Sequence, residues 1–156
     1  MKIAVSACLL GRNCRYDGSS KPCQEAIALS DCHEVVPICP ECAAGLRIPH
    51  APNEIVAGAP ELRVVDSEGR DNTEAFVRGA RLTLERVLGE GCELAVLKSK
   101  SPSCGVGLVY DGTFSGTLVP GYGVAAQMLA DAGVRVVDEG GLEGLAGEIG
   151  TLWRSS

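Results

Sequence analysis

Short apolar runs separated by longer amphipathic or irregular stretches set the rhythm of this chain. Residues 2–6 (Lys2-Ile3-Ala4-Val5-Ser6) run apolar with little alternation, the pattern of an interior parallel strand covered on both faces. Glu34-Val35-Val36-Pro37-Ile38 predicts a second short strand, with Pro37 near its end, where a missing donor costs least. Leu94-Ala95-Val96-Leu97-Lys98 predicts a central strand, and Val134-Arg135-Val136-Val137 another. Leu62-Arg63-Val64-Val65 also reads as a strand, closed by the turn Asp66-Ser67-Glu68-Gly69. Helical segments fall between the strands. Gln24 to Ser30 make about two turns. Asp71, Asn72 or Thr73 can N-cap a long helix that buries Phe76, Val77, Ala80, Leu84, Val87 and Leu88 and stops at Gly89-Glu90-Gly91.

Gly121-Tyr122-Gly123 opens a further helix through Ala132, ended by Gly133 as a left-handed cap. A weaker one spans 142–153 around Leu142, Leu145, Ile149 and Trp153. Tyr110-Asp111-Gly112-Thr113-Phe114 predicts a small hairpin, and 8–22 and 43–60 read as loops. Strands alternating with helices predict an α/β fold: one domain over 1–156, a mostly parallel, Rossmann-like sheet with helices on both faces. Its site belongs at the carboxyl edge of the strands, where open α/β sheets bind ligands.

Composition narrows the function. The chain of 156 residues is long enough for one domain with a real core. Net charge is −6, aromatic content is 4%, and no long basic run occurs, which argues against nucleic-acid capture or a base-stacking platform. No apolar run approaches a membrane span, and Met1 to Ser6 lacks the charged and apolar regions of a signal. A cytoplasmic protein without membrane or stable nucleic-acid partners is expected. In that reducing compartment, eight cysteines point to metal ligation or thiol chemistry rather than structural disulfides.

Three of those cysteines end strands. Cys8 follows the first apolar run, Cys39 follows Ile38 directly, and Cys104 lies in the turn Ser101-Pro102-Ser103-Cys104-Gly105 beyond Lys98. In a parallel sheet all three thiols converge on one edge. As thiolates they repel unless a metal neutralises them. Structural zinc wants four ligands and usually paired cysteines. Cys39-x-x-Cys42 is one pair; Cys32-His33 is the nearest candidate for a second, and Cys14, Cys23 and Cys92 are single. An iron–sulfur cluster on three cysteines leaves one iron open as a Lewis acid. Spacing alone leaves cluster, zinc and metal-free thiol chemistry all open. Cys23, Cys32 and Cys92 read as small buried hydrophobes. His33 and His50 read as loop histidines, and Gly121-x-Gly123 as a close-packing device.

The motifs carry a resemblance. Ser6-Ala7-Cys8-Leu9-Leu10-Gly11 with Cys14-Arg15-Tyr16-Asp17-Gly18 resembles the opening of the 2-thiouracil desulfurase family. Cys39-Pro40-Glu41 with Gly45-Leu46 and Pro49, then Lys98 to Gly105, are similar to its second and third blocks. Asp111-Gly112-Thr113-Phe114 and Gly121-Tyr122-Gly123-Val124 are similar to later ones. The chain departs from the family pattern at His50, where an arginine is expected, and at Cys42, where an apolar residue is usual. The resemblance implies a 4Fe-4S cluster held by Cys8, Cys39 and Cys104, and non-redox removal of sulfur from a small thiolated pyrimidine, releasing the carbonyl base and sulfide. It makes Glu41 the general base for water and Ser101 a donor to substrate or to the developing anion. Asp17, Lys98 and Ser103 become substrate-positioning residues. It names no acceptor for the sulfide. The alternatives are a zinc-binding or thiol-redox module, or a sulfur carrier, without desulfurase activity.

Overall fold

The computed structural model describes residues 1–149, and its frame is a parallel sheet of four strands. These are β1 (Lys2–Ser6), β2 (Glu34–Ile38), β5 (Leu94–Leu97) and β8 (Arg135–Asp138), in the spatial order β2-β1-β5-β8. The register runs Lys2 to Glu34 through Ser6 to Ile38 on one side of β1, and Ile3 to Leu94 through Val5 to Val96 on the other. Apolar residues occupy both faces of the central strands because both faces are covered. Side chains alternate across the sheet. Ile3, Val5, Leu94 and Val96 pack on one face with Ala26 and Leu29, and with Leu142 and Leu145 of α5 (Leu142–Ile149). Ala4, Val36, Ile38, Ala95 and Leu97 pack on the other with Val87 of α3 (Thr73–Gly89) and Ala126 and Leu129 of α4 (Val124–Asp131). Ala26 belongs to α1 (Gln24–Ile27), which continues as a tighter turn to Asp31.

Two short antiparallel ribbons stand over the carboxyl edge. One pairs β3 (Asn53–Ile55) with β4 (Val64–Asp66), the other β6 (Leu108–Tyr110) with β7 (Leu118–Pro120). The ribbons correct two expectations. The run at Leu62 forms a strand only from Val64, pairs outside the parallel sheet, and leaves Leu62 exposed. Its partner β3 lies inside the expected loop 43–60, being too short to show a period.

The long helix begins and ends near its expected bounds, but its buried stripe differs. Phe76, Gly79, Ala80, Thr83 and Val87 are buried, whereas Leu88 is exposed because it lies one residue off that stripe. Gly79 and Thr83 are buried because neighbouring elements press closely there. The expected contacts of the last helix through the Ile149 side chain and Trp153 lie outside the described residues.

Gly79 faces α2 (Pro40–Ala43), the short helix that carries the Cys39-Pro40-Glu41 segment. A Cβ at Gly79 would sit 2.1 Å from the Pro40 carbonyl oxygen and 3.0 Å from Ala44 Cβ. Backbone therefore meets backbone, and α2 cannot retreat without moving Glu41. Gly79→Ala should lower stability by about 2 kcal/mol, overpacking outweighing the gain in helix propensity. Urea unfolding of the protein would show this as a lower midpoint at unchanged slope.

Candidate active site

The strands that precede the three cysteines are adjacent. Cys8 lies in the single 3-10 turn Ala7–Leu10 after β1, Cys39 is the N-cap of α2 after β2, and Cys104 follows β5. Between β1 and β5 the strand order reverses, the place where doubly wound sheets open a crevice. A cavity of about 780 Å³ occupies it, with Cys8, Cys14, Cys39 and Cys104 in its wall. Glu41, Lys98 and Ser101 line it from the sheet edge, and Glu54, Tyr110 and Phe114 from the ribbons.

Burial dominates the chemistry of these thiols. Cys8 is pushed up to about 11, first by desolvation and further by Cys39, while Lys98 and Arg15 pull it down. Cys104, fully enclosed, is raised by burial and by Cys8 and Cys39, although Ser6 hydrogen-bonds it and opposes the rise. Cys14 is raised to about 12 by burial and by its contact with Cys39. Cys8, Cys39 and Cys104 all line this one cavity, as their strand positions require. Among the described residues no three His, Cys, Asp or Glu side chains gather closely enough for a single metal ion. The thiols are spaced around a cavity rather than a point.

The Cys104 turn is held from inside and behind. Ser101 Oγ accepts from the backbone N–H of Ser103 at 3.1 Å and of Cys104 at 3.0 Å, which leaves its own hydroxyl proton to donate. The first N–H groups of α4 do not face an anion. Val124 donates to Pro102 O at 2.8 Å and Ala125 to Ser103 O at 2.9 Å. A Cβ at Gly123 would lie 2.4 Å from the Ser103 carbonyl carbon, so this glycine lets α4 press onto the turn. Close packing is its purpose.

Lys98 is anchored rather than loose. Its backbone N–H donates to Ser6 Oγ at 2.9 Å, tying β5 to β1 at the site. Its ammonium lies 3.4 Å from Glu139 Oε2, and Glu139 Oε1 accepts from Ser99 N at 2.8 Å. Glu139 enters the site because β8 runs parallel to β5 in the next position, with Asp138 opposite Leu97.

Glu41 is the carboxylate that lines the cavity from the sheet edge, and Glu54 lines it from the ribbons. Desolvation raises the pKa of Glu41; His50, Ser103 and Arg15 pull the other way and do not cancel the rise. His50 is more than a loop histidine. Its Nδ1 is 2.8 Å from Ala51 O, an acceptor only, so Nδ1 carries a proton. Nε2 then faces Glu41 Oε1 at 3.5 Å. The His50 backbone N–H donates to Tyr16 O at 2.7 Å and fixes the ring's root. Ser103 Oγ, buried and without a partner at hydrogen-bond distance among the described residues, acts on the Glu41 carboxylate from farther away.

Two expected substrate contacts are not in the cavity wall. Asp17 is exposed and accepts from Ser19 N and Ser19 Oγ, closing a turn of its own loop. Ser103 is buried behind the wall, because the tight turn through Ser101 directs it toward Glu41. Lys98 and Ser101 do line the cavity, as do Glu41 and the three cysteines. The wall also holds Tyr16, Glu54, Tyr110 and Phe114, which strand-end reasoning misses. Phe114 carries a signal, the Asp-Gly-Thr-Phe block, but Glu54 carries none.

Doubly wound topology and a cavity at the switch point, lined by four thiols and Glu41, define an α/β protein with its candidate site at the carboxyl edge of the sheet. Residues 3–140 match the 2-thiouracil desulfurase family, and the chain belongs to it. It is similar to the uncharacterized protein YbbK of Bacillus subtilis (strain 168), with 40% identity over 143 residues, covering 88% of this chain and 95% of that one. It is also similar to the solved structure of TudS, a 4Fe-4S-dependent thiouracil desulfidase. That match has 41% identity and a TM-score of 0.85, and covers 95% of this chain and 97% of TudS.

Removing the carboxylate that holds Lys98 should cost stability. Glu139→Ala leaves Ser99 N and the Lys98 ammonium without their shared acceptor. A loss of about 1–3 kcal/mol in denaturant unfolding is expected.

Proposed function

We propose that this chain is a cytoplasmic desulfurase that removes sulfur from 2-thiouracil or a closely related thiolated pyrimidine, acting as one α/β domain with a 4Fe-4S cluster. The observation that carries this is the meeting of Cys8, Cys39 and Cys104 around a cavity that also receives Glu41. The donor set fits the group. Three thiols spaced around a cavity suit a cluster, which takes each thiolate on a different iron. Zinc would draw four ligands to about 2.3 Å from one point. Eight free cysteines also fit a reducing compartment. Among the described residues no helix is long and apolar enough to cross a membrane.

When bound, the cluster supplies a soft Lewis acid for the thiocarbonyl sulfur. The chain's own residues do the rest. Glu41, whose burial favours taking up a proton, accepts one from the attacking water. His50, when protonated on both ring nitrogens, pairs with that carboxylate through Nε2, 3.5 Å from Oε1. Ser101 has its acceptor side committed to backbone N–H groups, so its hydroxyl donates toward the charge that builds on the ring. Lys98, anchored by Glu139, places positive charge beside Cys8. The net change, C=S and water to C=O and hydrogen sulfide, neither oxidises nor reduces the base.

The test is anaerobic reconstitution, with iron and acid-labile sulfide counted and uracil formation followed from 2-thiouracil. Cys8→Ser, Cys39→Ser and Cys104→Ser should each lose iron and activity. Cys42→Ser should keep its iron, because that side chain is exposed and outside the cavity wall. A cluster without uracil formation would point to a sulfur carrier, and zinc without iron to a metal-binding module. Glu41→Gln should keep the cluster and lose about 10²- to 10⁴-fold in kcat. The base works only when ionised and its pKa is raised above the ordinary 4.5, so wild-type activity should fall on the acid side with a midpoint above 4.5.

A further inference from the structure

Aromatic residues are scarce here: the chain has two Phe, three Tyr and one Trp. Three of these six, Tyr16, Tyr110 and Phe114, line the one cavity described above. Tyr16 is engaged, with the Arg15 guanidinium 5.7 Å from its ring centre and His50 tilted against it at 6.3 Å. Tyr110 belongs to a strand. Phe114 differs from both. It sits at the tip of the β6–β7 turn, 36% exposed, with φ at 55°, in the left-handed region that bulky residues avoid. Burial in the core does not explain it.

The turn is held in that shape from outside itself. Glu54, on β3, accepts with Oε1 from Gly112 N at 3.0 Å and from Phe114 N at 3.1 Å. The Ala57 N–H donates to Asp111 O at 2.9 Å, and a Cβ at Gly112 would lie 2.8 Å from Val56 Cα. One carboxylate oxygen thus clamps two donors, two residues apart, of a turn packed onto the neighbouring ribbon, and Phe114 is carried to the cavity wall. Among the described residues no aromatic or cationic side chain stacks on its ring. A phenyl face that neither gives nor takes a hydrogen bond recognises a flat, conjugated ring and discriminates against groups that lack one.

We propose that Phe114 is the stacking face for the planar ring of the substrate, and that Glu54 is its positioning residue. The proposal rests on the desulfurase reading and makes the enzyme selective for cyclic, aromatic thiocarbonyls over acyclic ones such as thiourea. In the reconstituted holoenzyme, Phe114→Ala should raise KM for 2-thiouracil about tenfold to a hundredfold, the range seen when base–aromatic stacking is removed. Its kcat should change far less, and its iron content should stay the same. Phe114→Tyr should restore most of the lost affinity. Glu54→Ala should reproduce the Phe114→Ala defect, and Glu54→Gln should rescue it, because the amide oxygen still accepts both N–H groups. Thiourea should be a poor substrate whose KM is insensitive to Phe114→Ala. An unchanged KM for 2-thiouracil in Phe114→Ala would overturn the proposal, as would an equal rise for thiourea. Calorimetric binding of uracil to the holoenzyme separates the two readings. Phe114-dependent binding without any turnover sinks desulfuration and keeps the stacking face. Turnover with binding indifferent to Phe114 does the reverse, and no turnover together with no Phe114-dependent binding sinks both.

Discussion

The parallel pairing of β2, β1 and β5 is the constraint on which the rest depends. Only with all three strands running the same way do the residues after Ser6, Ile38 and Leu97 reach one edge. The last rungs are reinforced at the site itself, since Ser6 pairs with Ile38 on one side and its hydroxyl takes the Lys98 N–H on the other. Cys8, Cys39 and Cys104 are thereby set by the most buried part of the molecule. They inherit its rigidity, which a site built on rigid elements requires.

Electrostatics at that edge works against the thiols. The protein carries a net −6, yet Arg15, Lys21, Lys98 and Lys100 line the cavity. Desolvation still wins, as Cys8 at about 11 shows despite Lys98 and Arg15. Without a further positive centre Cys8 and Cys104 are held toward the protonated form. A metal that displaces the protons converts their burial from a penalty into binding, because ligation requires the deprotonated form. The same desolvation gives Glu41 its affinity for a proton. One physical cause, burial, acts on both the thiols and the Glu41 carboxylate of the cavity.

Close backbone contacts transmit this arrangement to the loops. Gly79 lets α3 meet α2 beneath Glu41, and Gly123 lets α4 meet the Ser103–Cys104 segment. Neither contact is a hydrophobic cluster in the usual sense. Each fixes a segment beside the cavity, and does so where any side chain would force a gap.

The four parallel strands, α3 and α4 were legible because each is a run long enough to show its period or its caps. So were the positions of Cys8, Cys39 and Glu41 just past their strands and of Cys104 in the turn beyond Lys98. Asp17 and Ser103 lie outside the cavity wall for reasons local sequence does not show: the Asp17 carboxylate closes its own turn, and Ser103 is buried behind the Ser101 turn. The partners of Glu41 and Lys98 were beyond reach, since His50 and Glu139 arrive from distant segments through packing. Glu54 and the aim of Phe114 depend on two three-residue ribbons with no periodic signature. What the sequence determined by itself was the sheet and the chemistry at its strand ends, because local hydrophobic pattern decides both. Which side chains complete the cavity was decided only by tertiary structure, because contacts between remote loops follow from how the chain closes.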